Sequence, residues 1–310
     1  MTETHQALRI VFMGTPVFAV ASLEILYKNN FDIAAVITAP DKPANRGMKL
    51  QTTPVKDFAL AHQLKVLQPT NLKDESFQQE LKALNADLFV IVAFRMLPEK
   101  VWNMPALGAV NLHASLLPQY RGAAPINWAI IKGETETGVS TFFLQHEIDT
   151  GHIIFTKKIK ITEEETAGTL HDKMMILGAE VLLKTVNAIE ARDYPSMAQE
   201  KPIEDKIAPK IFKETCVIDW SKDIFTIYNH IRGLSPYPAA STILKNKKYK
   251  IYKSSKHIQN HSFTVGDVQS DNKNYIHVYA KDGYLSIEEL QLEGKKRMDI
   301  KEFLRGNKLD

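Results

Sequence analysis

Residues 107–125 read LGAVNLHASLLPQYRGAAP. The run 107–112 has the length and apolar composition of a buried strand, and Asn111 and His113 fall at its C-terminal end. Side chains two residues apart on a strand point to the same side. One is an amide that can donate a hydrogen bond to a developing oxyanion. The other is an imidazole, which titrates near neutral pH. A loop with prolines and a glycine follows, then a helical pattern from about residue 126. Ligands of open α/β sheets collect where strands end, so the rest of the chain can be asked what it brings to this spot.

Upstream, 8–13 (LRIVFM) reads as a buried strand that turns through Gly14-Thr15-Pro16 into a helical pattern over 17–27. Thr15 is placed to cap that helix, with Pro16 at its first position. There is no G-x-G-x-x-G, so this is not a dinucleotide fingerprint. Strands are expected at 33–38, 66–67, 139–144 and 153–161, and helices at 55–63, 76–84 and 167–191. The stretch 87–94 (DLFVIVAF) is apolar almost throughout, as in a central parallel strand covered on both faces. This alternation predicts a doubly wound, mainly parallel α/β sheet over 1–191.

From 192 the pattern breaks. Pro195, Pro202 and Pro209 among mixed charges read as an extended linker, placed at 192–208. A helix at 223–231 and short strands at 239–244, 249–254, 263–268, 276–280 and 284–292 follow, with Lys281-Asp282-Gly283 as a hairpin turn. Short strands at close spacing predict a small, OB-like β-barrel over 209–310.

The chain of 310 residues has room for two domains. Its single cysteine, Cys216, excludes an intramolecular disulfide framework and reads as a small buried apolar residue in a reducing compartment. The N-terminus lacks the basic and long apolar regions of a signal peptide, and no apolar run approaches a membrane span, so a cytoplasmic protein is expected. Net charge is +3, but residues 201–310 carry 20 Lys+Arg against 14 Asp+Glu while 1–200 carry 19 against 22. The C-terminal part is therefore expected to meet an anionic partner. The loop at 40–54, PDKPANRGMKLQTTP, is long for this fold class. It carries Lys42, Arg46 and Lys49, which suit contact with a phosphate backbone.

Asn111, His113 and Asp149 together supply what acyl-type transfer to an amine needs. The amide would hold the oxyanion, the imidazole would assist electrostatically or by proton transfer, and the carboxylate would orient the imidazole. No serine or cysteine nucleophile is evident, which favours direct attack by a substrate amine. His146, Glu147, Asp149 and His152 lie close together in HEIDTGH, but the histidines are six apart and do not make H-E-x-x-H, so no metal site is expected.

These motifs resemble the methionyl-tRNA formyltransferases essentially from end to end. The matching stretches are VFMGTPVFA at 11–19, PDKPANRGMKL at 40–50, VNLHASLLPQYRGAAPI at 110–126 and DTG at 149–151. IDWS at 218–221, IRGLSPYPAA at 231–240 and GKKRM at 294–298 extend the match. The resemblance implies a Rossmann-like catalytic domain and an OB-like, tRNA-binding C-terminal domain, acting as a monomer. It implies transfer of the formyl group of 10-formyltetrahydrofolate to the α-amine of methionyl initiator tRNA, without a metal. It implies catalytic roles for Asn111, His113 and Asp149, and a folate site lined by Ser115, Leu116, Leu117 and Pro118. The loop carrying Lys42, Arg46 and Lys49 would meet the tRNA, with Arg46 at the acceptor end.

Three positions depart from the family pattern. Val17 stands where an acidic residue is usual, Phe94-Arg95 replaces Tyr-Gly close to the expected folate pocket, and Lys42 stands where arginine is frequent. A sugar N-formyltransferase would share the chemistry but have no use for the basic C-terminal domain. A non-catalytic RNA-binding protein would not need the intact Asn111, His113 and Asp149 set.

Overall fold

The computed structural model describes residues 8–44, 49–200 and 204–309. In chain order the elements begin with β1 (Arg9–Gly14), α1 (Val17–Lys28), β2 (Asp32–Ile37), β3 (Lys42–Ala44), β4 (Lys49–Gln51), α2 (Pro54–Ala61) and β5 (Val66–Leu67). They continue with α3 (Glu75–Ala83), β6 (Leu88–Val92), α4 (Glu99–Trp102), β7 (Ala109–His113), β8 (Arg121–Gly122), α5 (Pro125–Ile131), β9 (Glu136–Phe143), β10 (Ile153–Lys160) and α6 (Ala167–Glu190). After a short β11 (Ile207–Ala208) come α7 (Ile224–Leu234), β12 (Ala240–Leu244), β13 (Lys247–Ile258), β14 (Val268–Ser270), β15 (Ile276–Tyr279), β16 (Gly283–Leu292), β17 (Met298–Asp299) and α8 (Ile300–Gly306).

The chain forms two compact units. Residues up to 121, with 138–159 and 172–206, make the first; 122–137, 160–171 and the chain from 207 make the second. Among the described residues no helix is long and apolar enough to cross a membrane.

The first unit is organised by a seven-stranded sheet in the order β10-β9-β7-β6-β1-β2-β5. The β1·β2, β1·β6, β2·β5 and β6·β7 pairs are parallel, and β7·β9 is antiparallel. The sheet is thus mainly parallel, with its winding reversed between β1 and β6. Every residue of β6 is buried, as its unbroken apolar run requires of a strand covered on both faces. Ile10, Val11, Phe12 and Met13 of β1 are completely buried. Each large side chain buried this way contributes roughly 1.5–3 kcal/mol.

The β1–α1 turn passes close to its neighbours. A Cβ on Gly14 would lie 2.6 Å from the Ala19 methyl and 3.1 Å from the Val92 carbonyl oxygen, so the turn needs glycine. Pro16, in extended conformation, occupies the N-cap position without a side-chain bond. Thr15 therefore does not cap α1, which corrects the sequence reading. The cap that does form is on α2, where Thr53 accepts from the Lys56 N–H at 3.1 Å.

In the second unit, β12-β13-β16-β15-β14 form an antiparallel sheet, with β17 also paired to β16. Among the described residues this path is open rather than closed. Lys281-Asp282-Gly283 does turn β15 into β16, the Ala280 N–H donating to the Gly283 carbonyl at 2.8 Å. The strand expected at 263–268 instead starts at Val268. The α7 helix buries Ile224, Ile227, Ile231 and Leu234 at helical spacing, and Asp223 caps it by accepting from the Thr226 N–H at 2.9 Å. Arg232 on α7 is buried and donates to the carbonyls of Thr162 at 3.2 Å and Glu165 at 2.9 Å.

Candidate active site

Strand β7 lies next to β6, one strand out from the β1–β6 reversal. Its Ile91↔Asn111 and Val92↔Leu112 partners on β6 put Asn111 and His113 at the carboxyl ends of the parallel strands. On the other side Asn111 lies opposite Phe142 and His113 opposite Ser140 of β9. Asn111 is half-buried, and among the described residues no hydrogen bond engages its amide. It is therefore a donor at a strand end with its capacity uncommitted.

His113 is 7% exposed and Asp149 9%. The His113 Nε2–H donates to the Tyr120 carbonyl at 2.9 Å, and Nδ1 faces Asp149 Oδ2 at 3.8 Å. With Nε2 committed, Nδ1 is the ring nitrogen left to face the carboxylate. The strand end and the DTG loop, far apart in sequence, are thus brought together. Tyr120 adopts φ 57°, a conformation bulky side chains seldom take. It is held from both sides, its carbonyl by His113 and its N–H by the Lys206 carbonyl at 2.5 Å.

The loop after β7 is fixed by Ser140. Its hydroxyl donates to the Ser115 carbonyl at 2.7 Å and accepts from the Leu117 N–H at 3.2 Å. Ser115 is buried and donates to the Gln119 carbonyl at 2.6 Å, and the Leu117–Pro118 bond is cis. Leu117 packs with Phe142 and Ile153, whereas Leu116 and Pro118 are only half-buried. Of these four residues, Ser115 and Leu117 are buried and Leu116 and Pro118 half-buried, Leu116 lying over Gly138, where a Cβ would come within 2.5 Å of its Cδ2.

Sequence reasoning missed what holds the Asp149 loop. A Cβ on Gly151 would lie 1.6 Å from the Phe143 carbonyl oxygen, so only glycine lets the loop lie against β9. Gln199 donates through Nε2 to the carbonyls of Asp149 at 2.7 Å and Gly151 at 2.8 Å. Its Oε1 accepts from Arg121 Nη2 at 2.6 Å, and Arg121 Nε donates to the Asp149 carbonyl at 3.1 Å. Arg121 lay inside the quoted stretch, but Gln199 sits in the segment read as linker, which carries no local signal. That segment is extended yet well tied: Met197 bridges Ile153, and Gln119 bonds the backbone of Glu204 and Lys206.

The remaining candidate residues have other partners. Lys42 is exposed at the base of the β3–β4 hairpin, opposite Gln51. Arg46 lies outside the described residues. At that hairpin's base Asp41 accepts from Lys56 at 2.5 Å and Gln68 at 2.8 Å, and these bonds lower its pKa. Arg95 turns away to the carbonyls of Pro69 and Thr70. In HEIDTGH, His146 faces Glu99 and His152 bonds Ser196, so the two imidazoles have separate partners.

The formyl transferase family model matches residues 8–186, and the model of the formyl transferase C-terminal domain matches 210–308. These matches make the protein an enzyme of the formyl-transferring class. The methionyl-tRNA formyltransferase of Bacteroides thetaiotaomicron is 53% identical over 310 residues, spanning 97% of this chain and 96% of that protein. The one from Flavobacterium johnsoniae is 53% identical over 305 residues, with 97% and 96% covered. Among solved structures, the sugar 3N-formyltransferase WlaRD superposes with a TM-score of 0.69 at 23% identity, over 94% of this chain and all of that one. The N-formyltransferase of Helicobacter canadensis gives a TM-score of 0.70 at 22% identity, with the same coverage. At those identities the structural likeness speaks for the fold alone. The chain belongs to the methionyl-tRNA formyltransferase family.

Proposed function

We propose that this chain transfers the formyl group of 10-formyltetrahydrofolate to the α-amino group of methionyl initiator tRNA. The observation that carries the chemistry is the pairing on β7 of an uncommitted amide, Asn111, with an imidazole, His113, backed by Asp149. The free amine attacks the formyl carbon and a C–N bond forms. The carbonyl oxygen gains charge against the Asn111 amide, a donor whose capacity is otherwise unused. Collapse breaks the bond from the formyl carbon to N10, and the proton lost by the attacking amine returns to N10. Both His113 nitrogens already face partners, which favours an electrostatic role for the imidazole over shuttling a proton to substrate. The Asp149 carboxylate 3.8 Å from Nδ1 supports that role.

In this reading the loop containing Ser115, Leu116, Leu117 and Pro118 lines the folate site, mainly through its backbone and the accessible parts of Leu116 and Pro118. Lys42, Arg46 and Lys49 belong to the loop that meets the tRNA. Residues 1–191 act as the catalytic domain, 192–208 as the linker, and 209–310 as an OB-like domain presenting positive charge to RNA. The identity of about half to methionyl-tRNA formyltransferases along nearly the whole chain supports this choice of acceptor. The test is a formyl-transfer assay with charged initiator tRNA, charged elongator tRNA and an amino-sugar nucleotide. Initiator tRNA is expected to be formylated fastest. Preferential formylation of the amino-sugar nucleotide would overturn the assignment.

A further inference from the structure

We infer that Tyr237 and the neighbouring β12–β13 edge form an RNA contact in which the ring stacks on an unpaired base and lysines hold the adjacent phosphates. The inference rests on the proposed RNA substrate and adds to it a specific surface. Tyr237 is 82% exposed, the most exposed of the large apolar side chains, and no ring or hydrogen-bond partner engages it among the described residues. Its loop is nonetheless anchored. Ser235 is buried and accepts through its carbonyl from the Gly168 N–H at 3.0 Å. Ala239 is buried and donates to the Leu234 carbonyl at 2.9 Å. With the flanking backbone anchored, only the ring's own rotamer freedom is lost on binding, which suits a recognition aromatic.

Positive charge lies alongside. Lys250 Nζ donates to the Pro238 carbonyl at 3.1 Å, which puts its ammonium one residue from the ring. Thr242, Leu244, Tyr249 and Ile251 turn into the core, so Ser241, Ile243, Lys248 and Lys250 face outward, in the pairs Ser241↔Lys250 and Ile243↔Lys248. Lys245 and Lys247 flank the turn. Of these lysines, Lys248 stands 4.0 Å from Glu293, while Lys245, Lys247 and Lys250 have no carboxylate partner among the described residues. Lys250 lies at the Tyr237 end of the hairpin and Lys245 and Lys247 at its turn end, so the ring and this row of lysines match a short single strand, one base stacked on the ring and its successive phosphates along β12–β13.

The test uses the full chain and fluorescently labelled initiator tRNA, with affinity measured by anisotropy over a series of salt concentrations. Tyr237→Ala should weaken binding by about 5- to 150-fold, the range of base–aromatic stacking, and Tyr237→Phe should bind like the native chain. The triple variant Lys245→Gln, Lys247→Gln, Lys250→Gln should flatten the salt slope by about 2–3, one screened phosphate contact per lysine. Native-like binding by Tyr237→Ala, or a Tyr237→Phe as weak as the alanine variant, would overturn the stacking. A native salt slope in the triple variant would overturn the phosphate contacts. Formyl transfer to charged tRNA is measured in parallel. A native chain that binds but does not formylate overturns the substrate reading alone, and one that formylates while Tyr237→Ala binds normally overturns this inference alone.

Discussion

Replacing Gln199 by leucine keeps the volume of the side chain and removes its hydrogen bonds. Two donations are lost, to the Asp149 carbonyl at 2.7 Å and to the Gly151 carbonyl at 2.8 Å, and Arg121 loses its acceptor at 2.6 Å. At roughly 1 kcal/mol net for each bond, about 2–3 kcal/mol no longer favours the held loop. Arg121 Nε keeps its own bond to the Asp149 carbonyl at 3.1 Å, so the loop loosens rather than detaches. If most of that energy falls on the local equilibrium placing Asp149 by His113, kcat drops by about 10–100-fold. The assay is steady-state formyl transfer with both substrates saturating, alongside urea denaturation. Gln199→Glu is the control: it keeps an acceptor for Arg121 but turns a carboxylate toward two carbonyls, and should be no better than leucine. A Gln199→Leu enzyme with kcat within about twofold of native, a difference of under 0.5 kcal/mol, would refute the reasoning that the segment after α6 positions Asp149.

Three further outcomes are expected. Ser140→Ala strips the buried Leu117 N–H and Ser115 carbonyl of their shared partner, at a cost of about 1–3 kcal/mol to the loop. KM for the folate donor should rise by tenfold or more in order of magnitude with kcat less affected; an unchanged KM contradicts the proposed folate loop. Arg232→Met leaves the Thr162 and Glu165 carbonyls without their donor and should lower stability by about 2–4 kcal/mol, read as a fall in urea midpoint. An unchanged midpoint would count against that bond pair. Burial pushes the pKa of His230 below its usual 6.5, against the pull of its bond to Thr215, and burial followed by repulsion from His257 does the same to His277. Below about pH 6.5 the unfolded chain takes up protons that the folded chain resists, so stability present at pH 7 and above is lost as pH falls toward 5. The double variant His230→Gln, His277→Gln should show a shallower loss over that window. An unchanged pH slope would contradict it.

The frame of the first unit was legible because strand and helix signals there are local. The apolar run of β6, the turn after β1 and the period of α6 all mark their own elements, to within a few residues. Asn111 and His113 were legible for the same reason, since two-residue spacing on a strand fixes a shared face. The distant Asp149 entered through its chemistry, as the carboxylate an imidazole needs. What stayed hidden depends on tertiary contact. Gln199 lies among prolines and charges, in a segment whose composition says only that it is extended. Thr15 looked like a cap because proline follows it, yet the chain keeps Pro16 itself in the extended N-cap position. The α8 helix, seven residues capped by Asp299, is too short for periodicity to reveal, and its apolar face shows only once Ile300, Phe303 and Leu304 are seen in the core.

In the proposed mechanism Asn111 holds the oxyanion formed as formyl passes from the folate donor to the methionyl amine. That role is tested most directly by single-turnover transfer to charged initiator tRNA, comparing the native enzyme with Asn111→Ala under saturating enzyme and donor. Asn111 is half-buried and its side-chain amide has no hydrogen-bond partner among the described residues, so its truncation should leave folding and tRNA binding unchanged. The Asn111→Ala rate should be about 10²–10³-fold slower, the cost of losing one oxyanion donor. A near-native single-turnover rate in Asn111→Ala would contradict it.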